Sequence, residues 1–352
     1  MESGDPRPHE PTAAQSAAPP AAPTSLDVAR LAGVSRATVS YVLNNTPKAR
    51  ISEATRARVR AAAAQLGYVP HEMASALRAG RNDLVVLPFF DWPYNQSSIS
   101  FLQALTAQVD SLGYAVMLRL FRQSDRAATI RKIASFHPVG MIVPADALGP
   151  EDVGVLTRNG VRTILVYTYG ETARTTTPAV SIDFTPIGVL AAEHLVAQGH
   201  RRLAAIVPRD PRIAAIGRQR LEGVARVARA RALELERVDL DFDLHQAAAL
   251  AERWRQGQRP TAVFTYNDEY GLLLLRALTD AGLNVPGDVA LIGCDNLSLG
   301  EWVRPRLTSI ALDSSGHVAL IATHFDALLQ GRASKAPLVV TTRCSLVARE
   351  TA

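Results

Sequence analysis

The chain has 352 residues, is 47% hydrophobic and carries a formal net charge of +5, enough length for one small domain and one larger one. It contains no uncharged apolar run of about 18 residues and no basic-then-apolar leader, so a cytoplasmic location is expected and a membrane partner is not. Two cysteines, Cys294 and Cys344, and the lack of any Cys/His ligand spacing argue against a disulfide framework, a metal or a cofactor.

Residues 1–23 are rich in Pro, Ala and Ser and nearly devoid of large apolar side chains, which predicts a disordered tail. Thr24 and Asp27 then have capping-box spacing, so a helix is predicted through Val28, Ala29, Leu31 and Ala32, ending at Gly33. Ser35 caps a second helix whose inward stripe is Val39, Val42 and Leu43, leaving Arg36, Ala37, Thr38 and Tyr41 outward or sideways. A small residue at Ala29, a glycine four later and Val39 six after that is the spacing of a tight helix-turn-helix. Residues 24 to 82 hold nine basic groups against Asp27, Glu53 and Glu72, a concentration of charge suited to a polyphosphate partner.

On double-stranded DNA the second helix would enter the major groove, with Arg36 as the leading guanine reader, Ala37 against a thymine methyl and Tyr41 one turn on. The hydroxyls of Ser35, Thr38 and Ser40 face phosphates, and Thr24, Ser25 and Asn44 complete the candidate contacts. A third helix, capped by Ser52, closes the core of a headpiece spanning residues 24–69 with Val59, Ala63 and Leu66. Residues 70–82 form a hinge. Its helix, HEMASALR, is too short to be stable alone, so it is expected to fray off DNA and order on it.

From residue 83 to 352 short apolar runs alternate with helical patterns, the signature of βαβ units and a parallel sheet. Strands are predicted at 84–89, 114–120, 140–144, 163–167, 202–207, 261–266, 288–293 and 337–340. Helices are predicted near 98–112, 124–135, 150–159, 185–198, 214–231, 246–256, 268–281 and 314–330. That is more than one open sheet usually carries, so two doubly wound lobes are expected with a ligand cleft between them. No G-x-S-x-G, P-loop, G-x-G-x-x-G or H-E-x-x-H pattern appears, and catalysis is not expected.

DVARLAGVSRATVSYVLN, ISEATRARVRAAAAQLGYVP and a segment ending ALRAG, followed by SIDFTPIGVLAAEHLVAQGHRRLAAI, RQRLEGV, VFTYNDEYGLLLLRAL, VPGDVALIGCDN, RPRLTSI and SLVARET, resemble the lactose-repressor (LacI/GalR) family of bacterial transcription regulators. The resemblance runs from about residue 24 to the end. It implies a small all-α helix-turn-helix headpiece plus an α/β two-lobed periplasmic-binding-protein-like effector domain, a homodimer on a pseudo-palindromic operator, and a repressor controlled by a small molecule. It further implies that Leu77 wedges into the minor groove with help from Arg78. Arg220, Asn267 and Asp295 match ligand-contacting positions of the family, although Asn267 and Asp295 also suit helix caps. A guanidinium, an amide and a carboxylate can bracket vicinal hydroxyls, which favours a saccharide, with a nucleobase as the second choice. Phe90, Asp91 and Trp92 would form the opposing wall, with Asp183 behind them.

Overall fold

The computed structural model describes residues 22–43, 50–69, 83–121, 123–145, 147–170, 177–257 and 259–352. The chain divides into two compact units, the boundary falling between residues 81 and 82. Residues 1–21 of the expected tail and the hinge at 70–82, with Leu77 and Arg78, lie outside the described residues, as does Asn44.

The first unit contains α1 (Ser25–Ala32), α2 (Arg36–Leu43) and α3 (Glu53–Leu66). Thr24 and Asp27 form the expected capping box, in which the Thr24 hydroxyl accepts from the Asp27 amide and the Asp27 carboxylate accepts from the Thr24 backbone and hydroxyl. The turn after α1 needs a left-handed residue, and Gly33 supplies it at φ 64° without a Cβ penalty. Ser35 caps the next helix by accepting from the Thr38 amide at 3.1 Å. Val28, Ala29, Val39, Val42, Val59, Ala62 and Ala63 close the core, with Leu43 and Leu66 half-buried at its edge. Ala29 is small enough to let the helices approach closely.

The second unit holds two six-stranded sheets. Its N-terminal part runs β1 (Leu84–Phe90), α4 (Gln96–Ser111), β2 (Ala115–Phe121), α5 (Arg126–Ala134), β3 (Gly140–Pro144), α6 (Pro150–Arg158), β4 (Thr163–Tyr169) and β5 (Ala179–Asp183). The chain then passes to α7 (Thr185–Ala197), β6 (Arg202–Pro208), α8 (Pro211–Arg231), β7 (Glu234–Leu240), α9 (Leu244–Gln256), β8 (Ala262–Phe264), α10 (Asp268–Asp280), β9 (Ala290–Cys294), α11 (Leu299–Trp302) and β10 (Thr308–Asp313). It returns through α12 (Ser315–Leu329) and β11 (Leu338–Thr341) to the first sheet and ends on β12 (Arg343–Val347) in the second.

The strand orders are β11-β5-β4-β3-β1-β2 and β12-β10-β9-β8-β6-β7. Every pairing is parallel except β10 with β12. Central strands such as Gly140–Pro144 and Ala290–Cys294 are buried at every residue, as parallel strands sandwiched between helix layers must be. The two lobes are therefore joined by three crossings, at 183–185, 313–315 and 341–343. Such a hinge lets the lobes move against each other while each sheet stays intact. No helix among the described residues is long and apolar enough to cross a membrane.

Four strands, β5, β7, β10 and β12, are absent from the predicted set. The charged alternation of ELERVDL hides an edge strand whose outer side chains face water. The predicted strand at 261–266 ends early, at Phe264, because the Thr265 hydroxyl bonds the carbonyls of Asn267 and Ile292 and turns the chain toward α10.

Candidate functional site

On the headpiece, Arg36, Ala37, Ser40 and Tyr41 lie exposed on α2, and Thr38 is half-buried. Val39 and Val42 take the opposite face into the core. The helix therefore presents a guanidinium, a methyl, a hydroxyl and a phenol on one side. The Arg36 Nε–H donates to the Ser25 hydroxyl at 3.2 Å, which holds the guanidinium beside the start of α1. Thr24 and Ser35 are engaged as helix caps, so their hydroxyls are already occupied in this conformation.

In the second unit a chamber of about 280 Å³ lies where the C-terminal strand ends of the two lobes face each other. That is where a doubly wound fold places its ligands. Trp92, Arg220, Asn267 and Asp295 all line it. Phe90 and Asp91 instead line a neighbouring cavity of about 1480 Å³ that shares Trp92 and Tyr169 with the chamber. Phe90 packs on Phe121 at 4.9 Å between centroids. Asp183 does not line the chamber; its carboxylate accepts from the Thr185 amide at 2.9 Å and so fixes the first lobe crossing.

The polar centre is built around Arg220 on α8, only 5% exposed. Its guanidinium pairs with Asp295 at 3.3 Å and donates to the Tyr266 carbonyl. It also lies over the Tyr266 ring at 4.9 Å and the Phe184 ring at 5.6 Å. Burial disfavours its charge, but the paired Asp295 carboxylate favours it, and the guanidinium stays protonated. The Arg220 Nε is buried without a partner among the described residues. An orphaned buried donor of this kind calls for an explanation, and a ligand acceptor supplies one.

Asp295 adopts φ 96°, a left-handed conformation rare for a residue with a side chain. Such strain costs on the order of 1–3 kcal/mol and persists only where neighbours over-determine it. Here its amide donates to the Ile310 carbonyl at 2.8 Å, and its second carboxylate oxygen accepts from Asn95 Nδ2 at 2.8 Å. Asn95 belongs to the other lobe, so this bond spans the cleft. Arg212 makes a second bridge, from its guanidinium to the Asp91 carbonyl at 3.1 Å and carboxylate at 3.4 Å. Asn267 serves two purposes: its Oδ1 caps α10 through the Tyr270 amide at 3.0 Å, and its Nδ2 reaches Glu269 at 3.1 Å on the chamber wall. Among the described residues Asp295 caps no helix, its carboxylate being bonded to Asn95 and Arg220.

Sequence reasoning missed Asn95, the aromatic residues Phe101, Tyr169, Phe184, Phe242, Tyr266 and Tyr270, and Glu269 and His317, all of which line the chamber. Tyr169 stacks on Phe184 at 5.6 Å and meets Trp92 at 6.2 Å, making a continuous aromatic wall. The rule that ligand groups sit just beyond strand ends would have found Tyr266 and Glu269, which flank Asn267. It could not reach Phe184 or Phe242, because the strands before them were not predicted.

Similarity to known proteins covers both units. The model for bacterial regulatory proteins of the lacI family matches residues 24–71, and that for a periplasmic binding protein-like domain matches residues 192–352. The transcriptional regulator GalR of Escherichia coli is 31% identical over 300 residues, covering 82% of this chain and 83% of GalR. The transcriptional repressor PurR of Photobacterium profundum is 26% identical over 303 residues, covering 82% and 86%. Among solved structures, the lac repressor dimer bound to operator and the anti-inducer ONPF superposes with a TM-score of 0.75 at 25% identity, covering 93% of this chain and 98% of that one. A complex of the transcriptional regulator CelR with cellobiose has a TM-score of 0.63 at 26% identity, covering 94% and 100%.

Proposed function

Because the chain belongs to the LacI family of bacterial regulatory proteins, we propose that it represses transcription as a homodimer on a pseudo-palindromic operator and that a saccharide bound between its lobes controls operator affinity. Its relatives are transcriptional regulators rather than enzymes. In this reading α2 lies in the major groove with Arg36 on a guanine edge, while Ser40 and Thr38 contact phosphates. Leu77, with Arg78, wedges into the minor groove between the half-sites. The homodimer is supported by the likeness to the lac repressor dimer, and the saccharide by the likeness to the cellobiose complex of CelR.

The observation that carries ligand control is the buried Arg220–Asp295 pair with an unfilled donor, set in a chamber spanned by the Asn95–Asp295 bond. A ligand that takes over one of these bonds binds the open and closed lobe arrangements with different affinity. That difference is what shifts an equilibrium. Either direction of control, release or reinforcement of the operator complex, follows the same physics.

Gel-shift titration against duplexes from beside the coding region tests the division of labour. Arg36→Ala is expected to lower operator affinity by about 1–3 kcal/mol while sparing random DNA, the cost of losing one bidentate base contact. Arg220→Lys, which keeps the buried charge next to Asp295, is expected to bind operator normally and to lose the ligand response. Equal losses on operator and random DNA for the first variant would contradict base reading, and an intact response in the second would remove the cleft from the mechanism.

A further inference from the structure

We propose that the chamber takes a cationic ligand, a saccharide bearing a protonated amine, with the Glu269 carboxylate as its counter-ion. The inference rests on the cleft being the effector site and adds a charge to the ligand.

Among the described residues, four carboxylates, Asp210, Asp241, Glu269 and Asp295, line the chamber against the single guanidinium of Arg220. Three of them already have cations. Asp295 holds Arg220 at 3.3 Å, Asp210 holds Arg212 at 2.9 Å, and Asp241 holds Arg209 at 3.4 Å. Glu269 differs: its carboxylate accepts from Asn267 Nδ2 at 3.1 Å, and among the described residues no Arg, Lys or His nitrogen forms an ion pair with it. Burial raises its pKa, the Asn267 bond only partly offsets this, and the nearby Asp295 charge adds to the rise. An incoming ammonium removes that penalty, whereas a neutral hydroxyl leaves the charge uncompensated.

Two further groups ask for the rest of the molecule. The Arg220 Nε–H is an unfilled donor and needs a ligand oxygen. His317 is 3% exposed; burial depresses its pKa, and its Nε2 has no hydrogen-bond partner among the described residues. In the neutral imidazole this nitrogen either donates or accepts, and a ligand hydroxyl satisfies it in either tautomer. The aromatic wall of Trp92, Tyr169 and Phe184, with Tyr266 and Tyr270, suits both a pyranose face and an ammonium. A polyol with one amine answers the orphan donor, the unpartnered ring nitrogen and the lone carboxylate together.

Calorimetric titration and thermal shift on the full-length dimer test this with matched triplets: glucosamine, N-acetylglucosamine and glucose, and the galactose and mannose sets. One free amine is expected to bind at least about tenfold more tightly than both its neutral counterparts, a difference of about 1.4 kcal/mol. Glu269→Gln, checked for wild-type circular dichroism, is expected to erase that preference. The assignment is overturned if a neutral or acetylated sugar binds as tightly as its amine, if no amine in the panel binds, or if Glu269→Gln keeps the preference. Binding of a neutral sugar that is lost in Arg220→Lys would sink the amine while sparing the cleft, and amine binding that Arg220→Lys leaves intact would sink the cleft.

Discussion

Asp268 sits at the start of α10, fully buried, where its carboxylate accepts from the Ser309 hydroxyl and the Leu297 amide, both at 2.6 Å. Burial outweighs these donors and pushes its pKa from 3.8 up to about 7. A carboxyl whose pKa rises on folding stabilises the fold most below its unfolded value, and that stability is lost as pH climbs through the folded value. Between roughly pH 4 and 7 this group alone lowers unfolding free energy by up to about 1.4 kcal/mol per pH unit. Asp268→Asn is therefore expected to lose less melting temperature than the wild type between pH 5 and pH 8. Parallel pH profiles for the two proteins would show that the carboxyl is ionised throughout. At this scale Arg220, Asn267, Asp295 and Trp92 were legible because guanidinium, amide, carboxylate and indole lay near recognised strand ends or family motifs. Asn95 and His317 were not, since their roles depend on what faces them across the cleft, whereas Glu269, two residues past Asn267, lay within reach of the strand-end rule.

Helix packing sets where Arg220 points. α7 and α8 approach so closely that a Cβ on Gly188 would overlap the Arg220 carbonyl oxygen and lie 2.9 Å from the Val224 amide nitrogen, and one on Gly223 would overlap the Thr185 carbonyl oxygen and lie 2.7 Å from the Val189 amide nitrogen. Neither contact can be relieved by a side chain turning away, because the obstacles are backbone. Gly188→Ala is expected to cost about 1–3 kcal/mol through overpacking and to weaken ligand binding by shifting Arg220 against Asp295. Denaturant unfolding together with calorimetry reads both effects, and a variant as stable and as tight-binding as the wild type would mean the helices have slack that their spacing does not show. Apart from the short α11, which was not predicted, the helices were read from the sequence to within about three residues at each end, because caps such as Thr24 and Ser35 and apolar periodicity are local signals. Edge and late strands such as β7 and β12 escaped, because their half-exposed patterns lack the continuous apolar run of a central parallel strand.

For the molecule as a whole, the two lobes are held by three crossings and by polar bridges over the cleft, chiefly Asn95 to Asp295 and Arg212 to Asp91. Asn95 also caps α4 through its Oδ1, which accepts from the Ser98 amide at 3.0 Å. Asn95→Asp keeps that cap and sets a second carboxylate against Asp295. It is expected to open the lobes, enlarging the radius of gyration in small-angle scattering. An unchanged radius would assign the closed arrangement to the remaining bridges. If ligand and operator bias one equilibrium, as proposed, the coupling between them is reciprocal. The most direct measurement is calorimetric titration of a screened sugar into the protein, once free and once saturated with operator. The ligand affinity is expected to change by the factor by which saturating sugar changes operator affinity, and identical affinities in the two titrations would contradict control of the operator through the cleft.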